Sequence, residues 1–174
     1  MEWLVISDDN DDRKGRLLGP NFDVSCALGR GGIIGADDKQ EGDGKSPIGS
    51  WPIRRIFYRP DKEEVPVSKH PVSAISPEMG WCDAPTDSAY NMLVRYPWRA
   101  SAEQLWREDD VYDLIMVLGH NDDPVRPHKG SAIFVHVARE DYTPTEGCIA
   151  IAHNALRKLI TLVDINDRIV IKGR

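Results

Sequence analysis

The sequence predicts a mostly β domain with a few helices, closed or sandwich-like in architecture. Short apolar or alternating segments recur along the chain and are separated by turn residues, whereas only two segments have helical character. The 174 residues suffice for one domain with an ordinary core. The balance of 41% hydrophobic and 29% charged residues is typical of a soluble globular protein. The chain is therefore expected to form a single domain over residues 1–174.

The predicted strands are recognised by two different patterns. Asp113–Leu118 is a short continuous apolar run, which favours a buried strand, and Ser131–Val137 is rich in β-branched and aromatic residues. Three more segments alternate or have strand character, namely Asp23–Leu28, Trp51–Tyr58 and Arg168–Lys172. The segments expected to be loops or irregular are Ala36–Gly49, Arg59–Lys69, Pro71–Tyr96 and His120–Gly130.

Two helices are predicted, each from a different signal. Ser101 is followed three residues later by Gln104, a capping-box pattern that predicts a helix ending near Asp109. In the second, Leu156, Leu159, Ile160 and Val163 fall at helical spacing and predict an amphipathic helix from about residue 154 to residue 164.

Charge and hydropathy limit the partners that can be expected. The formal net charge is −6 and the sequence pI is about 5.3, which argues against nucleic acid and against anionic membranes as partners. The apolar run Trp3–Ile6 is too short for a secretory signal and leads into four aspartates. We therefore expect a cytoplasmic protein, or a periplasmic one if a longer native chain carries an export signal.

The cysteines and histidines are weighed first as structural or metal-binding groups. Three scattered cysteines do not form a disulfide framework, and the absence of a CxxC pair argues against a structural zinc site. A metallohydrolase is an alternative, but no HExxH or similar spacing occurs. We therefore expect no metal and no cofactor. The side chains that this alternative would use are His120, His128, His136, Asp122 and Asp123.

The most informative segment is Ile133–Ile151, which carries a histidine on a predicted strand and a cysteine twelve residues later. The turn-forming residues 143–147 precede Cys148, and Gly147 leaves room for a substrate carbonyl. His136 could accept the thiol proton, and backbone N–H groups at the turn could stabilise an oxyanion. The alternative is a small buried cysteine and a core histidine without catalytic roles.

Several segments together resemble one family. The stretch Thr145–Ala150, Thr-Glu-Gly-Cys-Ile-Ala, with His136 upstream, resembles the signature of the YkuD-type L,D-transpeptidase family, whose usual pattern is Ser-His-Gly-Cys, an apolar residue and Arg. Lys45–Trp51, Gly119–Asp123 and Gly130–Phe134 resemble further segments of that family and occur in the family's order. The closest resemblance is to a bacterial subgroup with Asn-Asp-Asp and Thr-Glu-Gly-Cys.

The resemblance implies a YkuD-like β-sandwich or barrel-like catalytic domain, with Cys148 as nucleophile and His136 as general base. The implied substrate is a peptidoglycan stem peptide, cleaved between an L-configured centre of a diamino acid and D-Ala through a thioester. Two positions depart from the family, because Glu146 replaces a histidine and Ala150 replaces an arginine. Arg139 is the first candidate to replace that arginine, and Glu146 could orient His136, bind an ammonium group or be an exposed turn residue.

Further candidates for substrate binding come from segments without predicted regular structure, where polar and aromatic groups often line a pocket. The alternative is that the aromatic residues pin the loop and the polar residues make a turn. These candidates are Trp81, Asp83, Tyr90 and Asn91 in one segment, and His120, Asn121 and Asp122 after the predicted buried strand.

The predicted function is that of an L,D-carboxypeptidase that removes the terminal D-Ala from tetrapeptides in muropeptide recycling. This choice follows from the missing export signal, since a cytoplasmic enzyme meets soluble muropeptides. An L,D-transpeptidase that forms cross-links or exchanges D-amino acids is the first alternative. A non-catalytic muropeptide-binding module is the second, although such a module has no need of a paired thiol and base.

Overall fold

The computed structural model describes residues 1–173 and confirms the predicted mostly β fold, with one α-helix, α1 (His153–Leu162). Two short 3-10 helices span Ala36–Asp38 and Asp110–Tyr112. The strands are β1 (Glu2–Ser7), β2 (Lys14–Gly19), β3 (Phe22–Ala27), β4 (Ile33–Gly35), β5 (Ser46–Tyr58), β6 (Val72–Ala74), β7 (Met79–Cys82), β8 (Leu93–Arg95), β9 (Ala102–Gln104), β10 (Leu114–Leu118), β11 (Phe134–Val137), β12 (Ile149–Ile151) and β13 (Arg168–Lys172).

The main sheet closes on itself through the long strand β5. Its order runs β10-β11-β12-β3-β2-β1-β13-β5, and β10 also pairs with β5, so the two ends of the sheet meet. The first half of β5 pairs with β13 and the second half with β10, since a single thirteen-residue strand reaches both neighbours. β4 and β6 pair with opposite ends of β5, and β8, β7 and β9 form a separate small antiparallel sheet.

Two hydrophobic cores lie on opposite faces of β10 and β11. Leu114 and Met116 belong to the larger core, whereas Ile115 and Val117 belong to the smaller one. Successive strand side chains point to opposite faces, so a strand buried on both faces is apolar throughout. This explains the continuous apolar run of the predicted strand. α1 covers the larger core with its apolar face, as its helical spacing predicted.

The helix predicted from Ser101 to Asp109 is wrong. Ala102–Gln104 is strand β9, which pairs with β7 so that Glu103 lies opposite Trp81. The two large apolar residues of this segment are adjacent, not three or four apart, so they give a helix no continuous apolar face. Leu105 instead enters the smaller core. The neighbouring sheet therefore prevails over the local capping-box signal.

Other predicted boundaries need smaller corrections. The predicted loop Ala36–Gly49 contains a 3-10 helix and ends early, because β5 already begins at Ser46. The segment Pro71–Tyr96 contains three short strands, which the Pro and Ser residues of the sequence concealed. β11 begins at Phe134 instead of Ser131, and β1 and β2 were not predicted.

Candidate active site

His136 and Cys148 are brought together by the parallel pairing of β11 with β12. In this register His136 lies beside Ala150, two residues after Cys148. Because residues two apart on an extended chain share a face, Cys148 and Ala150 point to the same side. Val135 and Ile149 enter the larger core on the other face. The alternation of β11 and β12 therefore places the imidazole and the thiol on the face of the smaller core.

The turn before Cys148 is fixed by the beginning of β5. Gly147 has φ +134, and a Cβ atom there would lie 2.8 Å from the carbonyl oxygen of Lys45, so the position favours glycine. The Gly147 N–H donates to Thr145 Oγ1 at 3.1 Å, and that hydroxyl donates to the Cys148 carbonyl at 2.7 Å. Ser46 Oγ donates to the same carbonyl at 3.4 Å. The Lys45–Trp51 segment thus supports the cysteine directly.

The thiol of Cys148 is held in a neutral state. Its Sγ donates to the Ala132 carbonyl at 3.1 Å and accepts the Phe134 N–H at 3.4 Å. The residue is 8% exposed. Burial and the nearby negative charge of Glu103 raise the pKa of the thiol to about 12. Cys148 is therefore a thiol, not a thiolate, at neutral pH.

His136 is held as a neutral base. Its Nδ1 lies 2.9 Å from the Val137 carbonyl, which can only accept, so Nδ1 carries the hydrogen. Burial lowers the pKa of the imidazole to about 4, and the positive charges of Arg107 and Arg139 contribute to the lowering. Nε2 is then the unprotonated nitrogen at neutral pH. Within residues 1–173 no hydrogen bond joins the imidazole to the thiol.

Both side chains line one cavity of about 540 Å³, whose walls carry opposite charges. Four carboxylates line it, those of Glu41, Asp83, Glu103 and Glu146, and two guanidiniums line it, those of Arg107 and Arg139. The volume falls within the range of small-ligand pockets.

Glu103 and its partner Tyr112 are two further residues of the cavity that the sequence did not predict. The Tyr112 hydroxyl donates to Glu103 Oε1 at 2.6 Å, and its ring contacts His136 edge to face with centroids 5.4 Å apart. Burial raises the pKa of Glu103, and burial with the charge of Glu103 raises that of Tyr112. Neither residue belongs to a sequence motif. Only the fold brings their segment to the cavity, so the sequence carries no local signal for them.

The predicted replacement for the family arginine lies at the cavity, together with a second arginine that was not predicted. Arg139 lines the cavity and its Nη2 donates to Asp109 at 3.0 Å. Arg107 donates to the same carboxylate through Nε at 2.7 Å and Nη2 at 2.8 Å. Arg107 was overlooked because its segment was assigned to a helix.

Glu146 lies at the cavity edge but does not contact His136. Its carboxylate pairs with Arg30 at 2.8 Å and its side chain is 76% exposed. The imidazole is oriented by the Val137 carbonyl instead. Of the roles considered for Glu146, orientation of His136 does not fit this geometry.

Some candidates from the irregular segment line the cavity, whereas others support the residues around Cys148. Asp83 lines the cavity, and Tyr90 donates its hydroxyl to Glu41 at 2.5 Å. Asn91 Oδ1 accepts both the Trp81 indole N–H and the Ala132 N–H at 3.0 Å. Because the Ala132 carbonyl holds the thiol, Asn91 supports Cys148 through one intervening residue. Trp81 lines a different cavity and packs edge to face on Phe134.

The candidates after β10 lie away from the cavity of Cys148. His120 and Asn121 line a separate cavity of about 240 Å³, and Asp122 pairs with Arg54 at 2.7 Å. Asn91 Nδ2 donates to the carbonyls of His120 and Asn121, so this loop supports the wall behind the site. Among residues 1–173, no group of three or more histidine, cysteine or carboxylate side chains is arranged to hold a metal ion.

A thiol and an unprotonated imidazole nitrogen that face one charged cavity are suited to cysteine-dependent acyl transfer. The comparison with known families agrees with this class. The chain belongs to the YkuD family, because the model of the L,D-transpeptidase catalytic domain matches residues 4–171. This match confirms the predicted resemblance and supports L,D-transpeptidase-type catalysis on peptidoglycan. Searches of curated proteins and of solved structures found no match.

Within residues 1–173 there is no helix of sufficient length and apolarity to cross a membrane.

Proposed function

We propose that this protein is an L,D-carboxypeptidase that removes the terminal D-Ala from peptidoglycan tetrapeptides through a thioester on Cys148. The observation that carries the proposal is the shared cavity of Cys148 and His136 in a chain of the YkuD family. The cavity of about 540 Å³ suits the end of one stem peptide. We further propose that soluble muropeptides of a recycling route supply it.

In the first half of the reaction, Cys148 Sγ attacks the carbonyl of the diamino acid while its proton passes to His136 Nε2. Concerted transfer fits this pair, because both groups are neutral in the resting site. The Gly147 N–H is engaged by Thr145, so we assign the Cys148 N–H to the oxyanion. His136 then protonates the leaving nitrogen, the C–N bond breaks, and D-Ala departs.

In the second half, water attacks the thioester while His136 Nε2 takes its proton. The C–S bond breaks, the proton returns to sulfur, and the tripeptide leaves. An amine in place of water gives L,D-transpeptidation or D-amino acid exchange by the same steps, so the acceptor separates these activities.

The test is incubation of the protein, and of a Cys148→Ala variant, with a disaccharide tetrapeptide, followed by mass spectrometry. Loss of one D-Ala with the wild type, abolished by Cys148→Ala, is the expected result. Cross-linked dimers, or exchange with added D-amino acid in place of hydrolysis, would refute the carboxypeptidase proposal and retain the nucleophile. Unchanged substrate with both proteins would refute both activities and favour a binding module. Cys82→Ala is the matched control, since that cysteine is fully buried and does not line the cavity.

A further inference from the structure

The cavity of Cys148 has a fixed cationic corner, formed by Arg107 and Arg139. Ala150 lies beside His136 in the strand register and lines the cavity without a charge. Among the residues that line the cavity, the cations are Arg107 and Arg139. Positive charge for a substrate anion must therefore come from these two guanidiniums, which one carboxylate, Asp109, holds side by side.

The guanidinium of Arg107 is positioned before any substrate arrives. It forms a two-point pair with Asp109 and lies 5.3 Å from the ring centroid of Tyr112. Its backbone carbonyl accepts a hydrogen bond from the buried Arg59, which also stacks on Trp106 at 3.8 Å. Within residues 1–173 no hydrogen bond occupies Arg107 Nη1, so this nitrogen of a cavity-lining residue is free to donate to a substrate carboxylate.

The chemistry of the leaving group decides which carboxylate reaches this corner. His136 must protonate the leaving nitrogen, and Arg107 and Arg139 both act electrostatically on that imidazole. The α-carboxylate of the departing amino acid is attached to the carbon next to the leaving nitrogen. The carboxylates of Glu41, Asp83 and Glu103 repel an anion from their part of the cavity.

We propose that Arg107, with Arg139 beside it, binds the α-carboxylate of the amino acid released from the scissile bond. This inference rests on the proposed function and specifies its substrate: a stem peptide that ends in a free carboxylate at the leaving residue. Because an incoming amine occupies the place of the leaving amine, α-amino acids are better acceptors than simple amines.

The experiment compares two donors, a muropeptide that ends in D-Ala and the same muropeptide that ends in D-alaninamide. For the wild type, kcat/KM should be about 10- to 100-fold lower with the amide, the range of a charge-assisted hydrogen bond. Arg107→Gln should lower kcat/KM by about the same factor with the donor that ends in D-Ala and only little with the donor that ends in the amide. Arg107→Lys should recover part of the loss, since it restores charge without the fork.

Arg95→Gln is the matched control, because this side chain is 81% exposed and lies away from the cavity. Equal loss on both donors would show a structural effect of Arg107→Gln and overturn the proposal. An Arg107→Gln variant with unchanged kcat/KM on both donors would also overturn it. A wild type with equal kcat/KM on the acid and on the amide would do so as well. A wild type that releases nothing from either donor would refute the proposed function itself and this inference with it, and is recognised by the absence of all product.

Discussion

The neutral state of the Cys148 thiol can be tested by its alkylation rate. Burial and Glu103 raise the pKa of this thiol to about 12, whereas an ordinary cysteine has a pKa of about 8.5. At about pH 8, roughly one part in 10⁴ of Cys148 is then thiolate, against about a quarter of a free thiol. A more basic thiolate is a better nucleophile, so the thiolate of Cys148 should react about 30-fold faster than that of a free thiol for a Brønsted slope of about 0.4–0.5. We therefore expect iodoacetamide to modify Cys148 roughly 10²-fold more slowly than a free thiol.

The rate should increase about tenfold for each pH unit from about pH 7 to about pH 10, without a plateau. Intact-mass spectrometry measures it, with a short unstructured cysteine peptide in the same tube as the reference. The Cys148→Ala variant gives the background from the buried Cys26 and Cys82. Glu103→Gln should speed the reaction, since the charge of Glu103 is the second cause of the raised pKa of the thiol.

A rate equal to that of the free thiol, with a plateau below about pH 8, would contradict this account. That profile is the signature of a thiolate paired with a protonated imidazole, the state typical of many cysteine enzymes. The His136 pKa would then have to lie above its ordinary value, opposite to the lowering that burial produces. An alkylation rate unchanged by Glu103→Gln would contradict the effect of the Glu103 charge on the pKa of the Cys148 thiol.

Two further predictions concern the free energy of unfolding, measured with urea. Gly147→Ala should lower the free energy of unfolding by about 1–3 kcal/mol or more, because φ is +134 and the new Cβ meets the Lys45 carbonyl. Gly42→Ala is the control for the conformational cost alone, since Gly42 has φ +76 and no atom near the new Cβ. Equal losses in the two variants would contradict the clash with Lys45. His136 and His120 have pKa values lowered to about 4, so the unfolded chain binds protons at these histidines before the folded chain does as the pH falls. The free energy of unfolding should therefore decrease from about pH 6.5 towards pH 4, by about 2–3 kcal/mol per histidine at pH 4.5. His120→Asn should make this decrease smaller. A flat profile for the wild type would contradict the burial of neutral imidazoles.

The fold was predictable where one segment carries its own periodicity. The helix α1 has its apolar residues at helical spacing, and β10 is apolar throughout because both faces are buried. The strands β1 and β2 were missed, and the pairing of β1 with β13 joins the two ends of the chain, a non-local contact that no local pattern encodes. The short strands β6 to β9 depend on partners in the same way.

The candidate site divides along the same line. His136 and Cys148 could be singled out because a strand, a turn and a known motif place them twelve residues apart. No local pattern singles out Arg107, Tyr112 or Glu103, because they reach the cavity only through pairing of β9 with β7 and packing on β11. Residues without a motif become visible as site residues only when the fold is known.

The segment mistaken for a helix carries one carboxylate and one guanidinium of the cavity, those of Glu103 and Arg107, and its true conformation makes this possible. In a helix, Glu103 and Arg107 would be four residues apart on one face and would pair with each other. As a strand followed by a turn, the segment gives each its own partner: Glu103 accepts the Tyr112 hydroxyl, and Arg107 donates to Asp109. The carboxylate therefore acts on Cys148 and the guanidinium on His136, as the shifts in their pKa values show. A variant that made this segment helical would neutralise the charge separation on which the proposed recognition of the leaving carboxylate depends.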